Sequence, residues 1–166
     1  MAQAMLSSRL AARGVTVPVA SAGLLASGWP PPPEVISVMT ARGIDVTGHR
    51  SRVVTADDLA AADLILGLAR EHVRHAAALL PEAWPRAFTI REFLRRGQRA
   101  GPRAPGQPLG DWLARAAADR GRRDLLGSSP ADDVADPAGG PLPGYQATSD
   151  TLDRLTRDLV GLGWPR

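Results

Sequence analysis

The sequence contains no cysteine and no lysine, and it is poor in aromatic residues. The absence of cysteine excludes disulfides, thiolate metal sites and a catalytic thiol within these 166 residues. Because there are only four Trp, two Phe and one Tyr, a core must be built mainly from Leu, Val, Ile and Ala. All twenty basic residues are arginine, so the pI near 10.8 reflects arginine chemistry more than net charge, which is only +3.

Long apolar runs are missing as well. No stretch approaches the roughly 18 apolar residues of a membrane span, and the N-terminus lacks an apolar segment followed by a small-residue cleavage site. We therefore predict no membrane span and no signal peptide, and we expect a cytoplasmic protein. A length of 166 residues with 44% hydrophobic composition predicts one domain covering residues 1–166.

Apolar spacing and capping signals predict helices that alternate with short strands. A helix over Ala2–Arg13 ends at Gly14, and the capping-box pair Thr55 and Asp58 starts a helix at residues 56–61. Further helices are predicted at 34–42 (closed by Gly43), 70–80, 91–96, 109–120 and 146–162, and strands at 15–20, 63–68 and 86–90. This alternation is typical of a parallel sheet covered by helices.

The order of these elements departs from the usual plan of such a fold. A parallel sheet of this class normally begins with a strand whose following loop enters the first helix, whereas this sequence opens directly on the helix MAQAMLSSRLAARG. With only three strands predicted, the sheet would be short. We therefore expect an α/β fold whose first strand is missing from this chain.

Five short motifs, in order, carry a resemblance to a known family. They are the opening helix, a strand ending SAG, a helix ending ARGID followed by GHRSR, the apolar run DLILG, and ADPAGG before the last helix. Together they resemble the low-molecular-weight protein tyrosine phosphatases, especially an actinobacterial form with a long insertion, here at about 97–134. The resemblance implies a three-layer α/β/α, flavodoxin-like fold with a short parallel sheet.

The resemblance also implies a reaction, the hydrolysis of phosphotyrosine or another phosphomonoester through a cysteinyl-phosphate intermediate. In that family a first strand leads into a C-x5-R-S loop, and the residues after this loop read like Pro-Met-Ala-Glu-Ala, similar to residues 1–4 here. The nucleophile and the phosphate-binding Arg are therefore absent from this chain, which we expect to be inactive as given. We also expect that Met1 is a misassigned start and that the native product carries the strand and the loop.

Three residues of this sequence match functional positions of the family. Asp136, in ADPAGG, is the implied general acid that protonates the leaving oxygen, and Pro137 restricts its backbone to extended geometry. Ser21 and His49 are the implied residues that support the phosphate loop by hydrogen bonds. One alternative is that Asp132, Asp133 and Asp136 form a solvated acidic loop with no role beyond turn formation. For His49, the alternative is a surface imidazole or a helix-end cap.

The implied substrate is a phosphotyrosine protein or a small aryl phosphate, and no cofactor is implied. No metal is expected, since the three histidines are scattered and cysteine is absent. In the eukaryotic branch, aromatic residues follow the Asp-Pro pair and form a wall against the substrate ring, whereas residues 138–140 here are Ala-Gly-Gly. Trp29, in SGWPPPP, either supplies a replacement wall or packs on the proline run.

Two other functions remain as alternatives. A catalytically dead pseudophosphatase would act as an interaction module. A nucleic-acid contact through the Arg-rich stretch Arg91–Arg103 is disfavoured, because the stretch lacks interleaved aromatic residues and the chain carries seventeen acidic residues. We therefore predict no nucleic-acid partner. Arsenate reduction, an activity of relatives with this fold, is excluded for these residues because it requires several cysteines.

Overall fold

The computed structural model describes residues 1–25, 27–121, 123 and 126–165. These residues contain seven α-helices, one 3₁₀ helix and two short β-strands. The elements in chain order are α1 (Ala2–Ala11), α2 (Pro33–Thr40), α3 (Ala56–Ala61), β1 (Ile65–Gly67), α4 (Arg70–Leu79), the 3₁₀ helix (Pro81–Arg86), β2 (Ala87–Thr89), α5 (Ile90–Ala100), α6 (Leu109–Ala117) and α7 (Leu142–Gly163). They fall into two units, the first comprising residues 1–54 and 135–160 and the second comprising 55–134 and 161–165.

The first unit is built from α1, α2 and most of α7. Its apolar core contains the fully buried side chains Met5, Leu10, Met39, Leu152 and Leu159. Polar contacts join the same helices. Arg13 Nη1 donates to the carbonyl oxygen of Val160 at 3.0 Å. Just beyond α2, Arg42 Nε donates to Ser149 Oγ at 2.7 Å. Helix ends in this unit are thus tied to α7 by arginine side chains.

The second unit contains the sheet, in which β1 and β2 pair in parallel. Ile65 lies opposite Ala87, and Gly67 lies opposite Thr89. Helix α4 connects the two strands and packs on both. The close packing of α4 requires glycine at residue 67, because a Cβ there would lie 2.9 Å from His72 Cβ.

An aromatic cluster fills the core of the second unit. Phe88 of β2 packs edge-on against Phe93 of α5 at 5.1 Å between ring centroids, and Phe93 packs in the same way against Trp112 of α6 at 5.2 Å. Trp112 is fully buried, and its Nε1 donates to the carbonyl oxygen of Gly101 at 2.9 Å. Such T-shaped pairs contribute about 0.5–1.5 kcal/mol each beyond their buried area.

A buried arginine cluster lies next to these rings. Arg120 donates to Glu92 from Nε at 2.6 Å and from Nη2 at 3.0 Å, and Arg96 Nε donates to the same carboxylate at 3.1 Å. The Arg120 guanidinium also lies over the rings of Trp84 and Phe88, at 3.8 and 4.3 Å from their centroids. The segment after α6 is therefore fixed to α5 and to the 3₁₀ helix by one side chain.

Local sequence signals predict most of these elements correctly. Gly14 and Gly43 both adopt φ +69° where helix ends were expected, and Thr55 and Asp58 form the expected capping box of α3. The apolar runs at 63–68 and 86–90 contain β1 and β2. The helix predicted at 91–96 is longer than expected, since α5 continues to Ala100.

The prediction of a third strand over residues 15–20 is wrong. These residues form no strand, although Val15 and Val17 suit one by composition. A strand exists only through hydrogen bonds to a neighbour, and nothing in the described ranges pairs with this segment. The β-bridge closest to this segment in the sequence is the isolated parallel bridge between Gly23 and Val53. The prediction of a single domain with an insertion at about 97–134 stays a prediction.

Candidate active site

Asp136 lies in a tight turn that precedes α7. Its Oδ1 accepts a hydrogen bond from the backbone N–H of Ala138 at 3.0 Å, an Asx turn. Gly140 N–H donates to the carbonyl oxygen of Pro137 at 2.9 Å. Gly139 has φ +74°, and a Cβ on Gly140 would lie 3.1 Å from that same oxygen. The two glycines therefore serve the turn, and the Asp136 side chain is exposed to solvent.

The residue before Asp136 is fixed by the following helix. Thr148 of α7 is buried, and its Oγ1 donates to the carbonyl oxygen of Ala135 at 3.1 Å. This contact holds the start of the Asp136 turn against α7. Sequence patterns do not reveal this contact, because the two residues are thirteen apart and Thr148 belongs to an ordinary amphipathic pattern.

Ser21 lies where two loops of the first unit meet. Its carbonyl oxygen accepts a hydrogen bond from Arg52 Nε at 2.9 Å. Two backbone bonds join the same loops, from Gly23 N–H to the Arg52 carbonyl at 2.9 Å and from Val54 N–H to the Gly23 carbonyl at 3.0 Å. Ser21 is half-buried. Arg52 thus positions the backbone of the SAG segment, a role that the sequence motifs do not indicate.

His49 is exposed, at the end of a turn that follows α2. Its N–H donates to the carbonyl oxygen of Val46 at 3.0 Å, and its own carbonyl accepts from Arg50 Nη1 at 2.7 Å. Within the described ranges, no hydrogen bond joins His49 to Ser21 or either residue to Asp136. All three lie in the first unit, and their assigned roles remain predictions.

Trp29 projects from the same pair of loops with 67% of its surface exposed. Its backbone is fixed on both sides, because its N–H donates to Ser51 Oγ at 3.0 Å and its carbonyl accepts from Ser51 N–H at 2.9 Å. Gly28 N–H donates to the Ser51 carbonyl at 2.8 Å. A rigid backbone therefore presents an exposed indole ring, which is not buried on the prolines that follow it.

Asp132 is not part of a solvated acidic loop, since only 3% of its surface is exposed. Arg70 Nε donates to its Oδ2 at 2.7 Å, and Arg95 pairs with its Oδ1. Burial raises the pKa of Asp132, but the hydrogen bonds and charges of Arg95 and Arg70 outweigh burial and hold the pKa below its usual value. The buried carboxylate is therefore ionised and paired at neutral pH.

The neighbouring Asp133 caps α4 from the same loop. Its Oδ1 accepts from Arg70 N–H at 2.8 Å, and its Oδ2 accepts from Ser129 N–H at 2.8 Å. Val134 N–H then donates to the carbonyl oxygen of Leu68, just after β1, at 2.7 Å. Residues 129–134 are therefore held at the carboxyl end of β1 and the N-terminus of α4, where a carboxylate also complements the helix dipole.

No group of three or more His, Asp or Glu side chains in the described parts of the chain is arranged to hold a metal ion. Among the same residues, no helix combines the length and apolarity needed to cross a membrane.

Comparison with known proteins assigns the chain to a family. Residues 1–102 match the family model for low molecular weight phosphotyrosine protein phosphatase. The probable low molecular weight protein-tyrosine-phosphatase EpsP of Ralstonia solanacearum is 38% identical over 93 residues, which are 56% of this chain and 62% of that protein. The chain thus spans less than two thirds of the length of this relative. The protein-arginine-phosphatase of Bacillus subtilis (strain 168) is 26% identical over 161 residues, 96% of this chain and 85% of that protein.

Similarities to solved structures agree with this family match. A low molecular weight protein tyrosine phosphatase from T. tengcongensis superposes with a TM-score of 0.70 at 28% identity, covering 96% of this chain and 86% of that one. The YwlE arginine phosphatase from Geobacillus stearothermophilus shares the fold at 24% identity, with a TM-score of 0.66 and coverage of 95% and 79%. The predicted α/β fold with a short parallel sheet and helices around it is confirmed. The chain belongs to the low molecular weight phosphotyrosine protein phosphatase family.

Proposed function

We propose that this chain provides the general-acid part of a phosphatase that hydrolyses phosphotyrosine in proteins or small aryl phosphates. The observation that carries the proposal is the Asp136 turn. One carboxylate oxygen is held by the Ala138 N–H, the side chain is exposed, and the preceding residue is fixed by Thr148. An exposed carboxyl on a fixed backbone suits proton donation to a leaving phenolate, a role worth about 10²–10⁴ in rate.

The nucleophile of this reaction is not among the 166 residues, which contain no cysteine. Formation of a cysteinyl phosphate needs a thiolate, and the phosphoryl oxygens need a cradle of backbone N–H groups with a bidentate Arg. A polypeptide of these residues alone is therefore inactive by the family's route. We assign Ser21 and His49 to the support of a C-x5-R-S loop where such a loop is present.

Substrate choice in this proposal depends on Trp29. Residues 138–140 are Ala-Gly-Gly and offer no ring, whereas Trp29 is exposed on a backbone that Ser51 fixes. A second candidate substrate is phosphoarginine in proteins. It is favoured by the similarity of almost the whole chain to an arginine phosphatase and by the small residues after Asp136, which leave a guanidinium-sized group unobstructed. A noncatalytic interaction module is the remaining alternative.

The test compares two polypeptides, the 166 residues alone and the same residues preceded by a strand and a C-x5-R-S loop of the kind that the family resemblance implies. Each is assayed with a phosphotyrosine peptide and a phosphoarginine peptide. The short form should show no turnover, and the extended form should hydrolyse the phosphotyrosine peptide and accumulate a phosphocysteine. Preferential turnover of the phosphoarginine peptide would select the second substrate class.

The role of Asp136 is tested in the extended form. Asp136→Asn should lower kcat by about 10²-fold or more on the phosphotyrosine peptide. The matched control, Asp57→Asn, changes another exposed Asp in the first turn of α3 and should leave kcat unchanged. If Asp136→Asn stays within twofold of the parent while the parent is active, Asp136 is not the general acid. If neither polypeptide turns over either substrate, the interaction module becomes the better hypothesis.

A further inference from the structure

Helix α5 carries a line of three arginines, which we call the arginine ridge. Arg91, Arg95 and Arg99 are spaced four residues apart, so they lie on the same side of the helix. Arg95 and Arg99 are exposed, and Arg91 is half-buried. Like charges at this spacing repel each other and weaken a helix. The ridge therefore costs α5 some stability, which points to a use other than folding.

Contacts to the backbone hold two side chains of the ridge in place. Arg95 Nη1 donates to the carbonyl oxygen of Ala131 at 2.6 Å, and Nη2 pairs with Asp132. Arg99 Nε donates to the carbonyl oxygen of Arg95 at 3.4 Å, so the Arg99 side chain lies back along the helix. These guanidinium groups are thus oriented before any ligand binds, which reduces the conformational entropy that binding must overcome.

Arg91 differs from the other two arginines of the ridge. In the part of the chain that the structure describes, its guanidinium makes no hydrogen bond and no ion pair, and its Nε is buried without an acceptor. A buried donor that lacks an acceptor costs free energy. Arg91 is therefore a cation that its own fold leaves unsatisfied.

The carboxylate of α5 does not neutralise the ridge. Glu92 is the only acidic residue of this helix. It follows Arg91 directly and so points to another side of the helix, because an α-helix has 3.6 residues per turn. There the Glu92 carboxylate is buried and pairs with Arg96 and Arg120. The charges of α5 are thus separated into a paired cluster on one side and the ridge on another.

The neighbouring elements supply too few carboxylates to balance the ridge. Asp132 pairs with Arg95 and also with Arg70 of α4. Asp133 accepts hydrogen bonds from backbone N–H groups at the start of α4, and Glu71 follows in the first turn of that helix. Even if all three carboxylates are counted against Arg70 and the ridge, four arginines face three acidic groups. No other carboxylate of the described residues lies within ion-pairing distance of the ridge.

The spacing of the ridge defines the shape of a matching ligand. A helix rises about 1.5 Å per residue, so neighbouring arginines of the ridge are about 6 Å apart along the axis. In an extended chain, alternate side chains lie on the same side and about 6.6 Å apart. Three carboxylates on alternate residues of an extended segment therefore match the three arginines. Three consecutive carboxylates do not, since they point to both sides of such a segment.

We propose that the arginine ridge of α5 binds an extended acidic segment of a partner protein that carries carboxylates on alternate residues. Each carboxylate pairs with one guanidinium, and the carboxylate at Arg91 supplies the acceptor that this side chain lacks. A nucleic acid fits less well, because bases need aromatic rings to stack on and the only ring of α5, Phe93, is fully buried. The ridge belongs to the second unit, whereas Asp136 belongs to the first, so the proposal does not depend on the role of Asp136.

The test measures binding of two peptides to the 166-residue chain by fluorescence anisotropy, with an uncharged fluorophore on each peptide. One peptide carries three glutamates on alternate residues, separated by serines, and its isomer carries the same three glutamates in a row. The alternating peptide should bind saturably and about threefold more tightly than the isomer. Added sodium chloride should weaken this binding, because salt screens exposed charges.

Variants of the ridge test which arginines bind the peptide. Arg91→Gln and Arg99→Gln remove one guanidinium each without breaking an ion pair, so circular dichroism should show an intact fold. Each should weaken binding of the alternating peptide about threefold, and the double variant should weaken it about tenfold. The matched control, Arg115→Gln, removes an exposed arginine of α6 and should bind like the parent.

Four results would overturn the proposal. Equal affinities for the two peptides would show that the spacing of the arginines does not select the ligand. An equal loss of binding in Arg115→Gln and Arg91→Gln would show a response to net charge alone. Tighter binding of oligodeoxythymidylate than of the alternating peptide would assign the ridge to nucleic acid. The last is an anisotropy signal that does not saturate with the parent chain.

Discussion

The replacement of Arg120 by Ala tests the buried arginine cluster of the second unit. Only 2% of the Arg120 side chain and 7% of the Glu92 side chain are exposed, and the two share a bidentate contact. The substitution removes both hydrogen bonds and empties the space between the Trp84 and Phe88 rings. Glu92 then keeps Arg96 as its guanidinium partner.

The expected loss of stability follows from these contacts. Breaking a buried ion pair by removing one partner costs about 3–5 kcal/mol, and the remaining Arg96 pair places this case at the lower end. A desolvated cation–π contact adds about 2 kcal/mol. We therefore expect Arg120→Ala to lower the free energy of unfolding of the second unit by about 5 kcal/mol. Arg120→Lys should cost about half as much, because lysine keeps the charge but loses the planar fork.

The assay is urea unfolding in a Trp29→Phe background. The remaining tryptophans, Trp84, Trp112 and Trp164, all belong to the second unit, so their emission reports on that unit alone. Arg99→Ala is the control, since Arg99 is exposed and should change stability by less than about 0.5 kcal/mol. A double-mutant cycle with Glu92→Ala should give a coupling of about 2 kcal/mol. If Arg120→Ala costs less than about 1 kcal/mol, the cluster does not stabilise the unit as argued.

Three further outcomes are expected. Asp132→Asn should destabilise the chain by about 3 kcal/mol. Because the pKa of Asp132 is lowered in the folded state, the ionised carboxylate stabilises the fold at pH values above its unfolded pKa. This stabilisation is lost as the pH falls below about 4. Acid titrations followed by circular dichroism should therefore be flatter for this variant, and equally steep curves would contradict the assignment. Gly67→Ala should cost about 1–3 kcal/mol through overpacking against α4, whereas Gly161→Ala, with nothing within 4 Å of the added Cβ, should be neutral or stabilising in thermal melts. Thr55→Ala should cost about 1 kcal/mol by removing the α3 cap, with faster hydrogen exchange confined to residues 56–61.

Helix ends were predictable because their causes are local. The Thr55 and Asp58 pair needs only three residues of sequence to act, and Gly14 and Gly43 need only their own freedom to adopt positive φ. The extent of α5 was missed at Gly97, whose lack of a Cβ suggested a loop. In the fold that glycine faces the Trp112 ring, which a Cβ would meet at 3.4 Å, so its cause lies in tertiary packing.

The acidic loop shows the limit of the candidate-site prediction. Motif order singled out Asp136 and left Asp132 and Asp133 as solvated turn residues in the alternative interpretation. Their partners Arg70 and Arg95 are 62 and 37 residues away from Asp132 in sequence, and periodicity carries no information about such pairs. The strand predicted at 15–20 was wrong for a related reason, since a strand depends on a neighbour that its own composition does not reveal.

The dependence on arginine and carboxylate pairs has a consequence for the choice of denaturant. Within the part of the chain that the structure describes, the sheet has two strands of three residues each, and such a sheet is too small to be stable by itself. The buried carboxylates of Glu92 and Asp132 each contact two guanidinium groups. Guanidinium chloride presents the same cation in molar excess, together with salt that screens charge. The free energy of unfolding extrapolated from guanidinium chloride should therefore be lower than the value extrapolated from urea. The difference between the two values measures the contribution of ion pairs to the stability of this fold.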